Sequence, residues 1–469
     1  MREGKPQAPN EEQSKYKRSD ESAEHCLHEH RSKKRKVVSD AQTLTLQPHL
    51  DFPTVNRFAP INSSSSRRRR RNRYRSREPT TLESNRSWVS SSHDPAAFAD
   101  RLVLVSYNIL GVENALKHPD LYSQVPREFL KWGRRKRLIC KEIKQYNAGI
   151  LCFQAVTSYS SRKHVLLIYS FFQEVDRFND LDSLLQKDGF RGVYTARTGE
   201  ACDGCAMFWK DEMYTLLHKE HIEFRNFGLR DNVAQLCVLQ INDHQSEKDT
   251  VMQVHGIPAS QSRRFVVGNI HVLFNPNRGD IKLGQVRLLL QKAHKLSQEW
   301  GSIPVIIGGD LNSIPESAMY QFLSSSELDI LLHDRRKISG QLKRPAQQKH
   351  IRFPIEHSSW SEEELKLATG RKGVAHLQHQ LKLSSAYARV PGSSMSRGPC
   401  GEPLATSYHS KFMGTVDYIW HTKELVPLRV LETLPLDDLR RNAGLPSERY
   451  GSDHLALVCE LAFLDDDDY

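Results

Sequence analysis

Long hydrophobic runs are missing from this 469-residue sequence, which argues against a chain that crosses a bilayer by helices. The longest run, Val165 to Phe172, has the length of a β-strand, whereas a spanning helix needs about 18 or more apolar residues. The chain begins Met-Arg-Glu-Gly-Lys and continues polar, so it lacks the apolar centre of a secretory signal. We therefore expect a protein that stays inside the cell.

Cysteine is sparse, with eight scattered residues that are typical of reduced and mostly buried thiols. Cys202 and Cys205 form the one Cys-x-x-Cys, and no second Cys-x-x-Cys or Cys-x-x-His completes a zinc site. The Asp-Gly between them is typical of a turn. A structural role is favoured over a metal or redox role.

Positive charge is concentrated at the N-terminus. Residues 1–100 hold 20 Lys and Arg against 13 Asp and Glu, a net charge of +7 out of +11 for the whole chain. Residues 1–98 also lack sustained apolar periodicity, so we interpret them as a disordered, basic Ser/Arg-rich arm. Its clusters at 33–36 and 67–75 suit nuclear import or nonspecific contact with phosphates, and a plain solvated arm is the alternative.

From residue 101 the sequence pattern changes to that of an α/β domain, in which strands alternate with helical stretches. Strand patterns are clear at "RLVLVSYNIL", "GILCF", "IPVIIGGDLN" and "TVDYIWHT", and "IKLGQVRLLLQKAHKLSQEW" predicts a long helix. The polar stretch at about 325–400 is too long for an ordinary loop. We expect a mobile insertion with one or two helices there.

The segment "VIIGGDLNSIP" carries the clearest chemical signal. An apolar strand delivers Asp310 and Asn312, two residues apart and on one side of an extended chain, into a glycine-tightened loop. A carboxylate can deprotonate a water there while the amide donates to a phosphate oxygen. Alone, an Asp-x-Asn after a strand is often only a turn with side-chain caps.

Other polar residues stand at strand ends or inside apolar strands, and each also has a structural interpretation. His454 could act as an acid or bind a phosphoryl group, and Asp417 could hold its tautomer. Asn108 and His271 lie inside apolar strands. A buried amide needs hydrogen-bond partners, which favours a functional purpose for Asn108. For His271, a core histidine with satisfied hydrogen bonds is the alternative. Glu174 is a lone carboxylate after an apolar run.

Together these motifs resemble the endonuclease/exonuclease/phosphatase superfamily. The order is Asn in the first strand, Gln-Glu-Val-Asp, Asn-x-His, Gly-Asp-x-Asn and a closing Ser-Asp-His. "RTGEACDGCAMFWK" and "HVLFNPNRGDIKLGQVRLLL" are similar to the carbon catabolite repressor-type deadenylases and their relatives nocturnin and angel, and the plant versions with a basic Ser/Arg arm are nearest. The resemblance covers about residues 101–469 and implies a two-sheet α/β sandwich of the deoxyribonuclease-I-like type. The catalytic domain would span 99–469, without the leucine-rich repeats of some relatives.

The resemblance also implies a role for each matching residue. It implies Mg²⁺, one or two ions, held mainly by Glu174 with Asn108 beside it and Asp453 near. Asp310 would orient the attacking water, Asn312 would steady the phosphoryl oxygens, and His271 would hold the scissile phosphate. His454 would stabilise the transition state with Asp417 as its partner, and Phe412, Pro276 and Asn232 would border the nucleotide.

One departure from the family pattern is a doubled stretch. Cys152-Phe153-Gln154 is followed by Ala-Val, and Phe171-Phe172-Gln173 is followed by Glu-Val. Deleting residues 155–173 restores "GILCFQEVDRFNDL", so we interpret them as a splice or gene-model insertion. If the protein carries the segment, either "GILCF" stays in the sheet or "VLLIYSFFQ" replaces it and delivers Glu174 in register. The metal site is then retained at some cost in stability, or the chain folds but binds metal poorly and is a pseudoenzyme.

The predicted function is a Mg²⁺-dependent 3′-to-5′ exoribonuclease that shortens poly(A) tails in the nucleus and cytoplasm. The predicted partners are single-stranded RNA and subunits of an mRNA-decay complex, with no membrane. Three alternatives remain: a hydrolase of another phosphoester such as a dinucleotide 2′-phosphate or a cyclic phosphate end, a DNA-repair endonuclease, and a non-catalytic RNA-binding protein.

Overall fold

The computed structural model describes residues 86–157, 177–242, 263–341 and 360–464. All of them belong to one compact unit, Glu78–Tyr469. In this part of the chain, no helix combines the length and the apolar character that crossing a membrane requires. The basic clusters at 33–36 and 67–75, and Glu174, lie outside the described residues.

Most strands of the described chain form two large mixed sheets. One has seven strands in the order β1-β16-β17-β2-β3-β5-β4, and the other has six in the order β12-β15-β9-β8-β7-β6. The pairs β10-β11 and β13-β14 form two short ribbons. The strands are β1 (Trp88–Ser90), β2 (Arg101–Asn108), β3 (Ile150–Thr157), β4 (Phe190–Ala196), β5 (Asp203–Lys210), β6 (Tyr214–Glu223), β7 (Val233–Ile241), β8 (Arg264–His271), β9 (Val305–Asp310), β10 (Glu327–Asp329), β11 (His376–Gln378), β12 (Ser384–Ser385), β13 (Ser407–His409), β14 (Phe412–Gly414), β15 (Asp417–His421), β16 (Leu425–Leu431) and β17 (Leu457–Phe463).

The longer helices flank the sheets, and their sequences show why. Helix α3 (Trp132–Tyr146) buries Ile139, Ile143 and Tyr146, which are spaced along one face, against the seven-stranded sheet. Helix α5 packs on the outer side of the six-stranded sheet. The helices are α1 (Val112–Lys117), α2 (Arg127–Leu130), α3 (Trp132–Tyr146), α4 (Arg177–Leu185), α5 (Gly279–Glu299), α6 (Ala318–Ser325), α7 (Glu362–Thr369), α8 (Ala386–Arg389) and α9 (Leu436–Arg440).

A core between the two sheets makes the fold a sandwich. Leu104 of β2 and Met207 of β5 belong to the same buried cluster as Val267 of β8 and Ile419 of β15. Because both faces of each sheet are covered, the central strands are almost continuously apolar, as in "RLVLV" and "VIIGG". The α/β sandwich predicted from the sequence is therefore confirmed.

The register of the strands brings several strand ends to one edge of the sandwich. Strands β2 and β3 run parallel with Asn108 opposite Gln154, and β8 and β9 run parallel with His271 opposite Asp310. Strand β15 is antiparallel to β9 and begins with Asp417 opposite Asp310. Polar residues from both sheets thus meet at this edge.

The structure places an edge strand within the predicted arm and describes part of the predicted insertion. Residues 88–90, assigned to the disordered arm, pair with β16 as an edge strand, and Trp88 packs against the Arg429 guanidinium at 4.5 Å. Three residues are too few to show a period, so the pattern missed them. The described parts of 325–400 contain helices α7 and α8, and Ala368 and Leu377 pack into the core around α5. Residues 342–359 lie outside the described part.

The structure also decides between the two arrangements of the doubled stretch. The first copy, "GILCF", stays in the sheet: β3 contains Cys152, Phe153 and Gln154 and continues through Ala155, Val156 and Thr157. The second copy, with Glu174, lies outside the described residues.

We expect one buried carboxyl to make the stability of this fold depend on pH. Glu402 is fully buried and accepts a hydrogen bond from the Tyr320 hydroxyl at 2.9 Å. Burial raises the pKa of Glu402 from 4.5 to about 7, so the folded state binds more protons than the unfolded state between these values. The free energy of unfolding should therefore fall as pH rises through this window, by about 3 kcal/mol at most.

Urea unfolding at pH 5 and pH 8 checks this expectation. The unfolding free energy of Glu402→Gln should differ much less between pH 5 and pH 8 than that of the parent chain. Glu212→Gln, at an exposed position, should keep the pH dependence of the parent. Equal pH dependence in the parent and Glu402→Gln chains would contradict it.

Candidate active site

A cavity of about 530 Å³ opens at the edge where the strand ends meet. Of the ten predicted site residues that the structure describes, nine line this cavity. The tenth, Asp417, is hydrogen-bonded to the cavity residue His454. The nine are Asn108, Asn232, His271, Pro276, Asp310, Asn312, Phe412, Asp453 and His454.

Asp310 lies at the centre of the polar groups. Its Oδ2 accepts a hydrogen bond from Asn108 Nδ2 at 2.9 Å and lies 3.4 Å from His271 Nε2 and 3.9 Å from His454 Nε2. Its Oδ1 accepts the backbone N–H of Asn312 at 2.8 Å. The carboxylate is thereby held in one orientation, with nitrogen groups on several sides.

His454 and Asp417 form a buried pair. His454 Nδ1 lies 2.8 Å from Asp417 Oδ2, which also accepts the Thr406 hydroxyl at 2.6 Å. Burial alone would lower the pKa of His454, but the charges of Asp417 and Asp453 raise it to about 10. Burial raises the pKa of Asp417, and the neighbouring imidazole opposes that rise. Near neutral pH the imidazole is therefore a cation whose Nε2 faces Asp310 and the cavity.

His271 differs in charge from His454. Burial, the largest influence, lowers the pKa of His271, although Asp310 opposes this. Its backbone carbonyl accepts a hydrogen bond from Asn232 Nδ2 at 3.0 Å. The site therefore contains one neutral and one cationic imidazole, on either side of Asp310.

The loop that carries Asn312 is supported from below by a buried lysine that the sequence reasoning missed. Asn312 has φ of +46°, a left-handed conformation that asparagine adopts more readily than most residues, and its Nδ2 donates to Val272 O at 2.9 Å. Lys282 in α5 is fully buried and donates from Nζ to Asn312 O at 2.7 Å. Burial lowers the pKa of Lys282 to about 7, against the attraction of Asp310.

Replacing this lysine should impair turnover more than folding. In the chain lacking residues 155–173, we expect Lys282→Met to lower kcat roughly tenfold or more, because a small displacement of a catalytic group is costly. Methionine fills a similar volume without a buried charge, so the unfolding midpoint should change little. Lys292→Met, on the same helix but paired with Glu220 outside the cavity, is the matched control. An unchanged kcat would refute the positioning role.

Asn108 and Asp453 are held by loops that converge from both ends of the chain. The Leu110 N–H donates to Asn108 Oδ1 at 3.0 Å, and the Ser452 hydroxyl donates to Asn108 O at 2.6 Å. Asp453 Oδ2 accepts the Tyr122 hydroxyl at 2.7 Å. The buried Arg135 donates to Gly451 O at 2.7 Å and also to Leu110 O, so it ties these two loops together.

The cavity offers several oxygen and nitrogen ligand atoms to a metal ion. Among the described residues, Asp310, Asp417 and His454 have candidate ligand atoms within 4.8 Å of one another, but Asp417 and His454 are hydrogen-bonded to each other. Asn108 and Asp453 also line the cavity, and amide and carboxylate oxygens are ligands that Mg²⁺ prefers. These residues fit a divalent cation, although they supply few carboxylates for it.

Ala155 is the residue of β3 that reaches the cavity. It lies at a β-bulge, between the paired residues Phe153 and Val156, and has φ of +56°. Bulges beside active sites commonly redirect a side chain, and the residue at this bulge is a nearly buried alanine that borders the cavity. The sequence places Glu174 at the equivalent position of the second copy, "FQEV".

Several cavity residues carried no distinct sequence signal. Arg197 lies at a strand end and pairs with Asp203 at 3.2 Å, and Lys411 pairs with Asp120. His409 and Tyr122 bring aromatic rings to the wall beside Phe412. Lone Arg, Lys or Tyr residues in loops are too common to single out without the fold.

Comparison with known proteins supports one family for this fold and site. Residues 105–454 match the model of the Endonuclease/Exonuclease/phosphatase family. The chain is 55% identical over 439 residues to Carbon catabolite repressor protein 4 homolog 5 of Arabidopsis thaliana, covering 91% of each chain. It is 46% identical to homolog 3 of the same plant, covering 86% of this chain and 85% of that one.

A solved structure is also similar. The crystal structure of ANGEL2, a 2′,3′-cyclic phosphatase, in complex with adenosine-2′,3′-vanadate shares 30% identity with this chain. The match has a TM-score of 0.60 and covers 81% of this chain and 99% of that one.

Proposed function

This chain belongs to the endonuclease/exonuclease/phosphatase family, within the carbon catabolite repressor 4 type, and on that premise we propose that it hydrolyses the 3′-terminal phosphodiester of single-stranded RNA. The substrate we favour is the poly(A) tail, shortened from its 3′ end with Mg²⁺ as the metal.

The surroundings of Asp310 are the observation that carries the proposal. A carboxylate oriented by Asn108 and by the Asn312 N–H can accept a proton from a water molecule in the cavity. The oxygen of that water forms a bond to phosphorus, and the bond from phosphorus to the 3′ oxygen of the preceding nucleotide breaks. The released 3′ oxygen takes up a proton from solvent, so the products are 5′-AMP and an RNA with a 3′-hydroxyl.

The other polar side chains suit the phosphoryl group. Cationic His454 can stabilise the charge that develops in the transition state, and Asp417 keeps its Nε2 directed at the cavity. Neutral His271 and the second N–H of the Asn312 amide can donate to phosphate oxygens. Asn108 and Asp453 would hold a divalent ion, which when bound neutralises charge on the phosphate.

Two apolar residues of the cavity suit an unpaired base. Phe412 and Pro276 line the cavity, and Phe412 lies 6.0 Å from the His409 ring at a tilt. Aromatic faces of this kind stack on bases of single strands. Asn232 is already bonded to His271 O and Gln285 Nε2, so we assign it to the support of the strand end that carries His271.

A second candidate follows from the similar structure with adenosine-2′,3′-vanadate. A site of the same fold could instead open a 2′,3′-cyclic phosphate at an RNA end, with water attacking the same phosphorus position. We treat this as the main alternative to poly(A) shortening.

Two RNA ends distinguish the candidates. A 5′-labelled oligoadenylate with a 3′-hydroxyl and the same RNA with a 2′,3′-cyclic phosphate should be incubated with Mg²⁺ and with the chain lacking residues 155–173. A one-nucleotide ladder from the first RNA supports poly(A) shortening, and opening of the cyclic end without a ladder supports the alternative. Intact RNA in both reactions, from a folded protein, would refute both. The same chain with Asp310→Asn is the control: any hydrolysis that remains comes from a contaminating nuclease.

Location and partners are part of the proposal. The basic clusters at 33–36 and 67–75 suit import, so we propose that the protein occurs in the nucleus and cytoplasm. We propose mRNA-decay complex subunits as its protein partners.

A further inference from the structure

A second aromatic pair lines the cavity apart from Phe412. His118 and Phe274 lie with ring centroids 6.3 Å apart at an angle of 39°. The segment 118–122 connects this pair to the Tyr122 and His409 rings beside Phe412. The cavity is therefore lined by two groups of aromatic rings and by the polar groups around Asp310.

Phe274 is unusual because it is both exposed and part of the cavity. Its side chain is 52% exposed. Of the large hydrophobic residues that are exposed in the described part of the chain, Phe274 is the one that lines the cavity. An aromatic face left open beside a phosphate-type site is the kind of surface on which unpaired bases stack.

The backbone on both sides of this pair is well supported. The N–H of Leu273, next to Phe274, donates to the buried Gln285 Oε1 in α5 at 2.9 Å. Near His118, the Ser410 N–H donates to Leu121 O at 3.1 Å and the Ser410 hydroxyl donates to Asp120 O at 2.8 Å. Ordering these loops therefore adds little to the cost of binding.

We propose that Phe274, with His118 beside it, is a stacking site for a second unpaired base of the same RNA strand. This inference rests on the proposed function, in which the terminal base lies against Phe412. The second base is that of the nucleotide preceding the terminal one. Binding then requires at least two unpaired nucleotides to reach full strength.

Competition binding tests the proposal without turnover. The full chain with Asp310→Asn is mixed with a labelled tetra-adenylate in Mg²⁺, and unlabelled AMP, ApA and tetra-adenylate displace it. Phe274→Ala should weaken ApA and tetra-adenylate roughly fivefold or more, as expected for loss of one stacked base, and leave AMP unchanged. Phe412→Ala should weaken all three, and Phe274→Trp should retain affinity.

Phe227→Ala is the matched control, because Phe227 is 50% exposed but lies outside the cavity. Equal affinities for Phe274→Ala and Phe227→Ala would overturn the proposal. An equal loss for AMP and ApA would also overturn it, because Phe274 would then belong to the terminal-base site. If the protein binds tetra-adenylate with the predicted Phe274 dependence but neither the parent nor the chain lacking residues 155–173 hydrolyses RNA, the proposed function fails and this site stands. If no adenylate binds, both fail.

Discussion

Replacing Ala155 with glutamate is expected to raise the affinity for Mg²⁺ roughly tenfold or more, because a carboxylate enters a site that has few. Ala155 lines the cavity together with Asn108 and Asp453. Because Ala155 lies at a β-bulge that borders the cavity, we expect a glutamate at this position to reach the same space.

The backbone cost of this substitution is already present in the parent chain. Alanine at φ of +56° experiences the same steric conflict as any other L-residue with a Cβ, so glutamate adds no new conflict of this kind. Removing residues 155–173 has the same local outcome, since Gln154 is then followed by Glu174 and Val175. Val175 would take the place of the buried Val156. Both variants should therefore gain metal affinity.

Isothermal titration with Mg²⁺, supported by water-proton relaxation with Mn²⁺, measures the gain independently of activity. Ala155→Gln is the matched control, because it has the shape of glutamate without the charge. If the parent chain already binds Mg²⁺ tightly and Glu174→Gln removes that binding, the carboxylate comes from the second copy. Ala155→Glu should then add nothing, and the expectation is wrong.

Asp310→Asn is expected to reduce hydrolysis at least about a thousandfold, equivalent to about 4 kcal/mol of transition-state stabilisation. The amide cannot accept a proton from water. It also has one acceptor oxygen, whereas the carboxylate serves Asn108 Nδ2 and the Asn312 N–H with two. One donor loses its partner, so we expect a loss of about 1 kcal/mol in unfolding free energy, too little to unfold the chain.

Single-turnover hydrolysis of 5′-labelled oligoadenylate by the chain lacking residues 155–173, together with thermal unfolding, separates these two effects. Asp437→Asn, at an exposed position paired with Arg440, should leave both measurements unchanged. Activity of Asp310→Asn within tenfold of the parent would show that another group accepts the proton.

Local patterns in the sequence were sufficient for the fold class, and they singled out residues that the structure brings to one cavity. The apolar strands "RLVLVSYN" and "VIIGGD" are long enough to specify buried parallel strands, and each ends in the polar residue that reaches the cavity. Asp310, His454 and Asp417 were found because each stands next to such a strand. Their mutual distances, 2.8 Å and 3.9 Å, follow from register between strands far apart in the chain.

Other features depended on contacts that no local pattern contains. Lys282 has the spacing of an ordinary helical lysine, and only the packing of α5 under the Asn312 loop makes it a buried donor. Likewise, both copies of the doubled stretch have strand character, and the structure places the first in the sheet, with Ala155 at the cavity. The sequence by itself determined the α/β class and the residue types of the site, because period and composition are local properties. Only the tertiary structure decided which residues meet, because that depends on how the two sheets pack.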